Sequence, residues 1–279
     1  MIKYIFFGMI WLSMISYFYI INITKVPHKI LSGLINGLYY IYYKASYVTE
    51  QDKGIYIKKG VLPVLNSLNI KIKTHGFIDN KSPTLYISNH NSHLDSLILK
   101  YLKPEVKTIS KDDAAGDFSI VKNFAKTILD NWGVILYKRG SKKSGQEVRN
   151  LIKTNILNGK SVLVYPEGGS FAFNGFEKFY PGSFEVAYEN NLNIQPVTIR
   201  YMTDITWGRE EKFTKEHHIN MITNARHCQN FKENIVNVTF HPVINSSHFD
   251  DASHLLNYVK FVITDEWINQ HNYDIKNQN

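Results

Sequence analysis

Cysteine is almost missing from this chain: Cys228 stands alone among 279 residues. One thiol can close no intrachain disulfide and no Cys-x-x-Cys metal clamp, which suits a reducing compartment. Internal repeats and low-complexity tracts are lacking too, so neither a repeat array nor a flexible spacer is at hand. No nucleic-acid recognition motif is present. Acidic residues are outnumbered, 24 against 32 Lys and Arg, giving a net charge of +8 and a pI near 9.2. Such a balance favours an anionic partner, nucleic acid or an acidic lipid surface, and charge alone does not separate the two. His217, His218 and His227 lack the i, i+4 spacing of metal ligands, so no metal site is expected.

With 44% apolar residues the chain has enough to bury a sizeable core, and one catalytic domain plus an appendage is the natural division. The appendage is the N-terminal part. Tyr4 to Thr24 carries no charge and is bounded by Lys3 and Lys25. That length can span a bilayer or lie at its interface. A second apolar piece, Ile30 to Tyr43, is too short to cross comfortably and is rich in the tyrosine found at headgroup depth. No small-x-small cleavage site follows, so retention of the segment is expected. Residues 1–46 are therefore expected to anchor the chain to membrane lipids and 47–279 to form the catalytic domain. Lys25 and Lys29 outweigh Lys3, which puts that domain on the cytoplasmic side.

Apolar runs and amphipathic stretches then alternate. Gln51 to Leu68 reads as a helix interrupted by Gly60 and Pro63, and Asn69 to Thr74 and Thr84 to Ser88 read as strands. Lys107 to Ser110 is another, followed by a helix capped at Asp117. Gly133 to Gly140 reads as a buried strand ending in Lys138 and Arg139. Ser144 and Glu147 form a capping box for a helix that Gly159 ends. Ser161 to Tyr165 and Asn193 to Tyr201 are strands about a helix from Ser183 to Glu189. Ile235 to Phe240 is the last strand, and Asp251 to Trp267 a closing amphipathic helix. The pattern predicts an α/β fold: a central mixed, largely parallel sheet flanked by helices, with an N-terminal membrane-associated helical segment.

The chemistry centres on TLYISNHNSHLDSLILK, residues 84–100, where a strand breaks into a polar loop and resumes as a helix. His90 and Asp95 form an H-x4-D pair. Histidine is suited to taking a proton from an alcohol near neutral pH, and a buried carboxylate on its second ring nitrogen fixes the tautomer. On one continuous helix the two side chains would stand roughly 140° apart. His90 must therefore sit in the loop and Asp95 in the first turns of the helix, which Asn91 or Ser92 could cap. By composition alone such a spacing arises about half the time, so its placement between strand and helix carries the weight. His93 competes for the role of base. Because sites in parallel sheets form beyond the carboxyl ends of strands, the His90 loop, Lys138–Arg139 and Glu167 can gather in one crevice.

Four blocks in this order resemble the PlsC-like glycerolipid acyltransferase family, over roughly residues 70 to 200. SNHNSHLDSL (88–97) is similar to its NHx4D motif, and GVILYKR (133–139) to its second motif, which ends in arginine. VYPEG (164–168) resembles the third, and IQPVTI (194–199) the fourth. The resemblance implies an O-acyltransferase moving a fatty acyl group from acyl carrier protein or coenzyme A to a lysolipid hydroxyl. The foremost acceptor is 1-acylglycerol-3-phosphate, giving phosphatidic acid. His90 would be the general base and Asp95 its partner, with no metal or other cofactor. Lys138 and Arg139 would bind the acceptor's anionic headgroup, Glu167 would lie on the acceptor side, and Gly168 and Gly169 could let backbone N–H groups approach an anion.

Two departures bear on the acceptor. Many phosphatidic-acid-forming members continue the third motif with Thr-Arg, where this chain has Gly169 and Ser170, and their Phe-Lys-x-Gly element is here Phe179-Tyr180-Pro181-Gly182. The stretch with Trp207-Gly208 and VTFHPV (238–243) looks more like branches that acylate lyso-ornithine or other lysolipids. A non-catalytic, basic, membrane-surface binding protein is the alternative from another class, and the intact His90 and Asp95 favour the enzyme.

Overall fold

The computed structural model describes residues 27–79, 82–111, 119–137, 144–169, 176–203, 205 and 227–278. The apolar run from Tyr4 to Thr24, Asp117, Lys138, Arg139, His217 and His218 lie outside the described residues.

The first described helix, α1 (His28–Leu38), runs on through a π turn (Tyr39–Tyr43) and a 3-10 turn (Lys44–Tyr47). Helix α2 (Glu50–Ser67) follows without the interruption expected at Gly60 and Pro63. Tertiary packing overrides the local propensity there: Ile57, Val61, Val64 and Leu65 are buried along one side of α2. The glycines serve close approach instead. A Cβ on Gly33 would lie 2.7 Å from the Pro63 carbonyl oxygen, and one on Gly60 would lie 2.6 Å from Ile41. Ile30 and Ile41 belong to the same buried cluster as the sheet residues Tyr86 and Val197.

The rest alternates as the pattern requires: β1 (Ile70–Gly76), β2 (Leu85–Ser88), α3 (Leu94–Leu102), β3 (Lys107–Lys111), α4 (Ser119–Trp132) and β4 (Val134–Tyr137). Then come α5 (Ser144–Leu157), β5 (Val162–Val164), α6 (Gly182–Glu189), β6 (Asn193–Tyr201), β7 (Asn234–Phe240), β8 (Ile244–Asn245) and α7 (Ala252–Gln278). The closing helix thus starts one residue later and ends eleven residues beyond the expected span.

Among the described residues, eight strands form one sheet, ordered β1-β7-β6-β2-β5-β3-β4, with β8 added beside β6. Strands β6, β2, β5, β3 and β4 are mutually parallel; β7 is antiparallel to β6 and parallel to β1. Helices cover both faces. Side chains alternate between two cores, Tyr86 on the face with α2 and α3, Leu85 and Ile87 on the face with α5, α6 and α7. Each fully buried Leu or Ile in these layers contributes about 1.5–3 kcal/mol. Strand β4 differs from expectation: at the sheet edge its four residues are only half-buried. The mixed, largely parallel α/β sheet is therefore as anticipated. Among the described residues no helix is long and apolar enough to cross a membrane.

Candidate active site

Because β2, β5, β6 and β4 run in one direction, their carboxyl ends share one rim of the sheet. Beyond β2 the chain leaves the ladder at Asn89, whose fully buried side chain replaces it. The Asn89 Oδ1 accepts the Ile199 N–H at 2.8 Å and its Nδ2 donates to the Ile199 carbonyl at 2.9 Å. The same Nδ2 donates to Asn91 Oδ1 at 2.5 Å. The amide thus imitates a further backbone rung and fixes the loop that carries His90. Ser92 then turns the chain into α3: its hydroxyl accepts the Leu94 N–H at 3.2 Å and its carbonyl the Asp95 N–H at 3.0 Å.

His90 lies before the helix and Asp95 in its first turn, as the angular argument demanded, and the two meet: His90 Nδ1 is 2.9 Å from Asp95 Oδ2. The Asp95 carboxylate is fully buried while the imidazole keeps 14% exposure. Oδ2 also accepts the Ser92 N–H at 2.9 Å, and Oδ1 accepts the Tyr201 hydroxyl at 2.5 Å. The carboxylate requires the proton on Nδ1, leaving Nε2 as the basic nitrogen. Tyr165 stacks on the imidazole, centroids 4.0 Å apart and planes 15° apart, with its hydroxyl 3.4 Å from Ser96 Oγ. His93 is exposed at the start of α3, and the carboxylate is engaged by His90.

Glu167 lies in the turn after β5, but its carboxylate faces the protein. Oε1 accepts the His90 N–H at 2.8 Å and Oε2 the Glu177 N–H at 3.0 Å. Burial pushes its pKa up to about 7; the two amides and His90 pull against that, and the charge of Asp95 adds to it. Both oxygens accept backbone amides because the loop of Glu177 folds back over the turn. Gly168 adopts φ +71°, which a side chain would strain, and its N–H donates to the Tyr165 carbonyl at 3.1 Å. That amide closes the turn and is turned away from any anion; Gly169 follows it. The Tyr180 ring covers Gly168, 3.4 Å from where a Cβ would stand.

The structure brings together His90, Asp95 and Glu167, with Gly168 and Gly169 in the adjoining turn. Lys138 and Arg139 follow directly on β4, whose end lies on the same rim, and are themselves outside the described residues. Asn89 and Tyr165 lie inside the first and third motif blocks but were given no role there, and Tyr201 lies outside all four blocks. For Tyr201 a signal existed: period two along β6 sets it on the face of Val197 and Ile199.

The Acyltransferase family profile matches residues 69–200, a span that includes every site residue above except Tyr201. A probable 1-acyl-sn-glycerol-3-phosphate acyltransferase of Mycoplasma genitalium is 26% identical over 203 residues, 68% of each chain. The chloroplastic 1-acyl-sn-glycerol-3-phosphate acyltransferase of Arabidopsis thaliana is 30% identical over 119 residues, 42% of this chain and 32% of that one. The match therefore spans about a third of the plant protein. Among solved structures, the 1-acyl-sn-glycerophosphate acyltransferase PlsC of Thermotoga maritima shares the fold, with a TM-score of 0.62 at 16% identity over 93% of this chain and 95% of that one.

Proposed function

We propose that the chain is an acyltransferase of the PlsC-like family, a reading supported by the profile match over residues 69–200 and the likeness to the Mycoplasma genitalium protein, and that it moves a fatty acyl group from acyl carrier protein or coenzyme A to a lysolipid hydroxyl. The acceptor we favour is 1-acylglycerol-3-phosphate, giving phosphatidic acid. In this reading His90 Nε2 takes the hydroxyl proton as the oxygen attacks the thioester carbonyl. The tetrahedral intermediate collapses with loss of the thiolate, and the proton on His90 goes to the leaving sulfur. Asp95 holds the imidazole and stabilises its charged form; no covalent acyl-enzyme, metal or further cofactor takes part. General-base help of this kind is worth about 10² to 10⁴ in rate. The observation that carries the reading is the 2.9 Å contact between His90 Nδ1 and a wholly buried carboxylate at the rim of the sheet.

Arg139, with Lys138, would hold the acceptor's anionic headgroup, since a forked guanidinium matches phosphate. The Gly169 N–H would approach the same anion. Glu167 and Gly168 would act on the acceptor indirectly, by fixing the loops of His90 and Glu177. A second reading has a specific observation behind it: Tyr180, in the place of the family's lysine, caps Gly168 with an uncharged ring. That arrangement suits a lysolipid with less headgroup charge, such as lyso-ornithine lipid.

Attachment to membrane lipids belongs to the same proposal. Ile35, Leu38, Tyr39, Tyr42 and Tyr43 form an exposed apolar and aromatic strip along α1 and its continuation, with the Lys44 ammonium 5.7 Å from the Tyr39 and Tyr43 ring centres. Tyrosine beside lysine is the composition of a headgroup-level surface. The strip, with the preceding apolar run, would hold the enzyme on the cytoplasmic side of the bilayer. The test is turnover of the full chain with acyl donor and a panel of lysophosphatidate, zwitterionic lysophospholipids and lyso-ornithine lipid, read by mass spectrometry. Wild type should acylate one class and His90→Ala none; full activity in His90→Ala refutes the mechanism.

A further inference from the structure

Tyr201 ends β6, and the alternation that buries Val197 and Ile199 carries its ring to the same face, against Asp95. Its hydroxyl donates to Oδ1 at 2.5 Å, the short separation of a hydroxyl bound to an ionised carboxylate. The other oxygen is shared between the Ser92 N–H and His90. The carboxylate is fully buried, so water does not replace a lost partner. Held at Oδ2 alone, it could turn about its Cβ–Cγ bond and swing that oxygen out of line with Nδ1. Resting on the general-base reading above, the geometry points to Tyr201 as a positioning residue of the His90–Asp95 pair, fixing the carboxylate plane and drawing negative charge toward Oδ1.

The surroundings support a permanent donor. Burial, and then the charge of Asp95, push the Tyr201 phenol well up, so it keeps its proton throughout the working range. The remaining titratable groups about the pair take other places. Tyr165 stacks on His90 with its hydroxyl near Ser96, and Glu167 engages the His90 backbone N–H. Neither reaches Oδ1.

Kinetics of the full chain on vesicles test this with Tyr201→Phe, which deletes one oxygen, beside His90→Ala and Asp95→Asn. A hydrogen bond to a buried charge, once broken, predicts a fall in kcat of about ten- to a hundredfold, with acceptor KM within about twofold. The acidic limb of the kcat/KM profile should move to higher pH by about one unit, because a carboxylate that lacks the phenol favours the protonated imidazole. In the Asp95→Asn background Tyr201→Phe should cost less than about twofold, since the charge it serves is gone. An unmoved limb, or the same loss in both backgrounds, overturns the proposal, because a residue that only fills space would act alike in each. Turnover surviving His90→Ala sinks the base assignment instead, and so separates the two failures. Should Tyr201→Phe not fold, the double variant Asp95→Asn/Tyr201→Phe, which removes the stranded charge, must fold as well as Asp95→Asn; if it does not, Tyr201 is a packing residue and the proposal falls.

Discussion

Glu167→Gln should flatten a measurable slope in the stability of this protein. In the fold the Glu167 carboxyl titrates at about 7, raised from 4.5 mainly by burial. Below pH 4.5 it is protonated in both states, and its contribution is then fully present. Between 4.5 and 7 the unfolded chain ionises while the folded one retains its proton, so stability drains away as pH rises, by about 1.4 kcal/mol per unit when the difference is one whole proton. The loss totals about 3 kcal/mol and levels off above pH 7. Glutamine does not titrate. Its oxygen accepts one of the two backbone amides and its NH2 opposes the other, so the variant starts from a lower, pH-independent level. Urea unfolding of both proteins in one detergent, at steps from pH 4.5 to 8, gives the difference in unfolding free energy. Every other titrating group cancels in that difference, which should shrink by about 3 kcal/mol across the range in favour of the variant. A difference constant to within about 0.5 kcal/mol would falsify the picture of a buried carboxyl clamping the two loops.

Other changes read other parts of the molecule. Asn89→Ala strands the Ile199 amide and carbonyl; it should cost about 2–4 kcal/mol in chemical unfolding and lower kcat as the His90 loop loses its register. Gly33→Leu places a side chain where the Pro63 carbonyl and Ser67 already stand; overpacking of about 1–3 kcal/mol should lower the Tm and expose the α1–α2 connection to limited proteolysis. Arg139→Ala should raise the acceptor KM several-fold and spare the donor's, and the reverse pattern would remove that residue from the headgroup site. Serine at Tyr39, Tyr42 and Tyr43 together should reduce sedimentation with anionic vesicles while leaving the unfolding midpoint nearly unchanged.

Much of the fold was legible in sequence because parallel strands buried on both faces advertise themselves as short apolar runs, as Leu85–Ser88 and Asn193–Tyr201 do. The kink expected in α2 was not there, since a glycine marks a broken helix and a tight helix contact with the same letter, and only Gly37 and Ile41 opposite Gly60 decide between them. The dyad could be read because the H-x4-D spacing allows just one arrangement of loop and helix. The orientation of Glu167 is not written in its motif: what the carboxylate faces depends on the Glu177 amide, ten residues on and in no motif. Lys100 makes the same point. Helical spacing sets it on the buried side of α3, where its ammonium reaches the Pro104 and Val106 carbonyls, and burial pulls its pKa down to about 7.

The glycine contact between α1 and α2 has a mechanical consequence. Backbones this close resist sliding and swivelling, which ties the tyrosine strip on the first helix to the buried cluster beneath the sheet. Whatever plane that strip rests on therefore fixes the height and tilt at which the imidazole meets an incoming molecule, as a tripod fixes the aim of a lens.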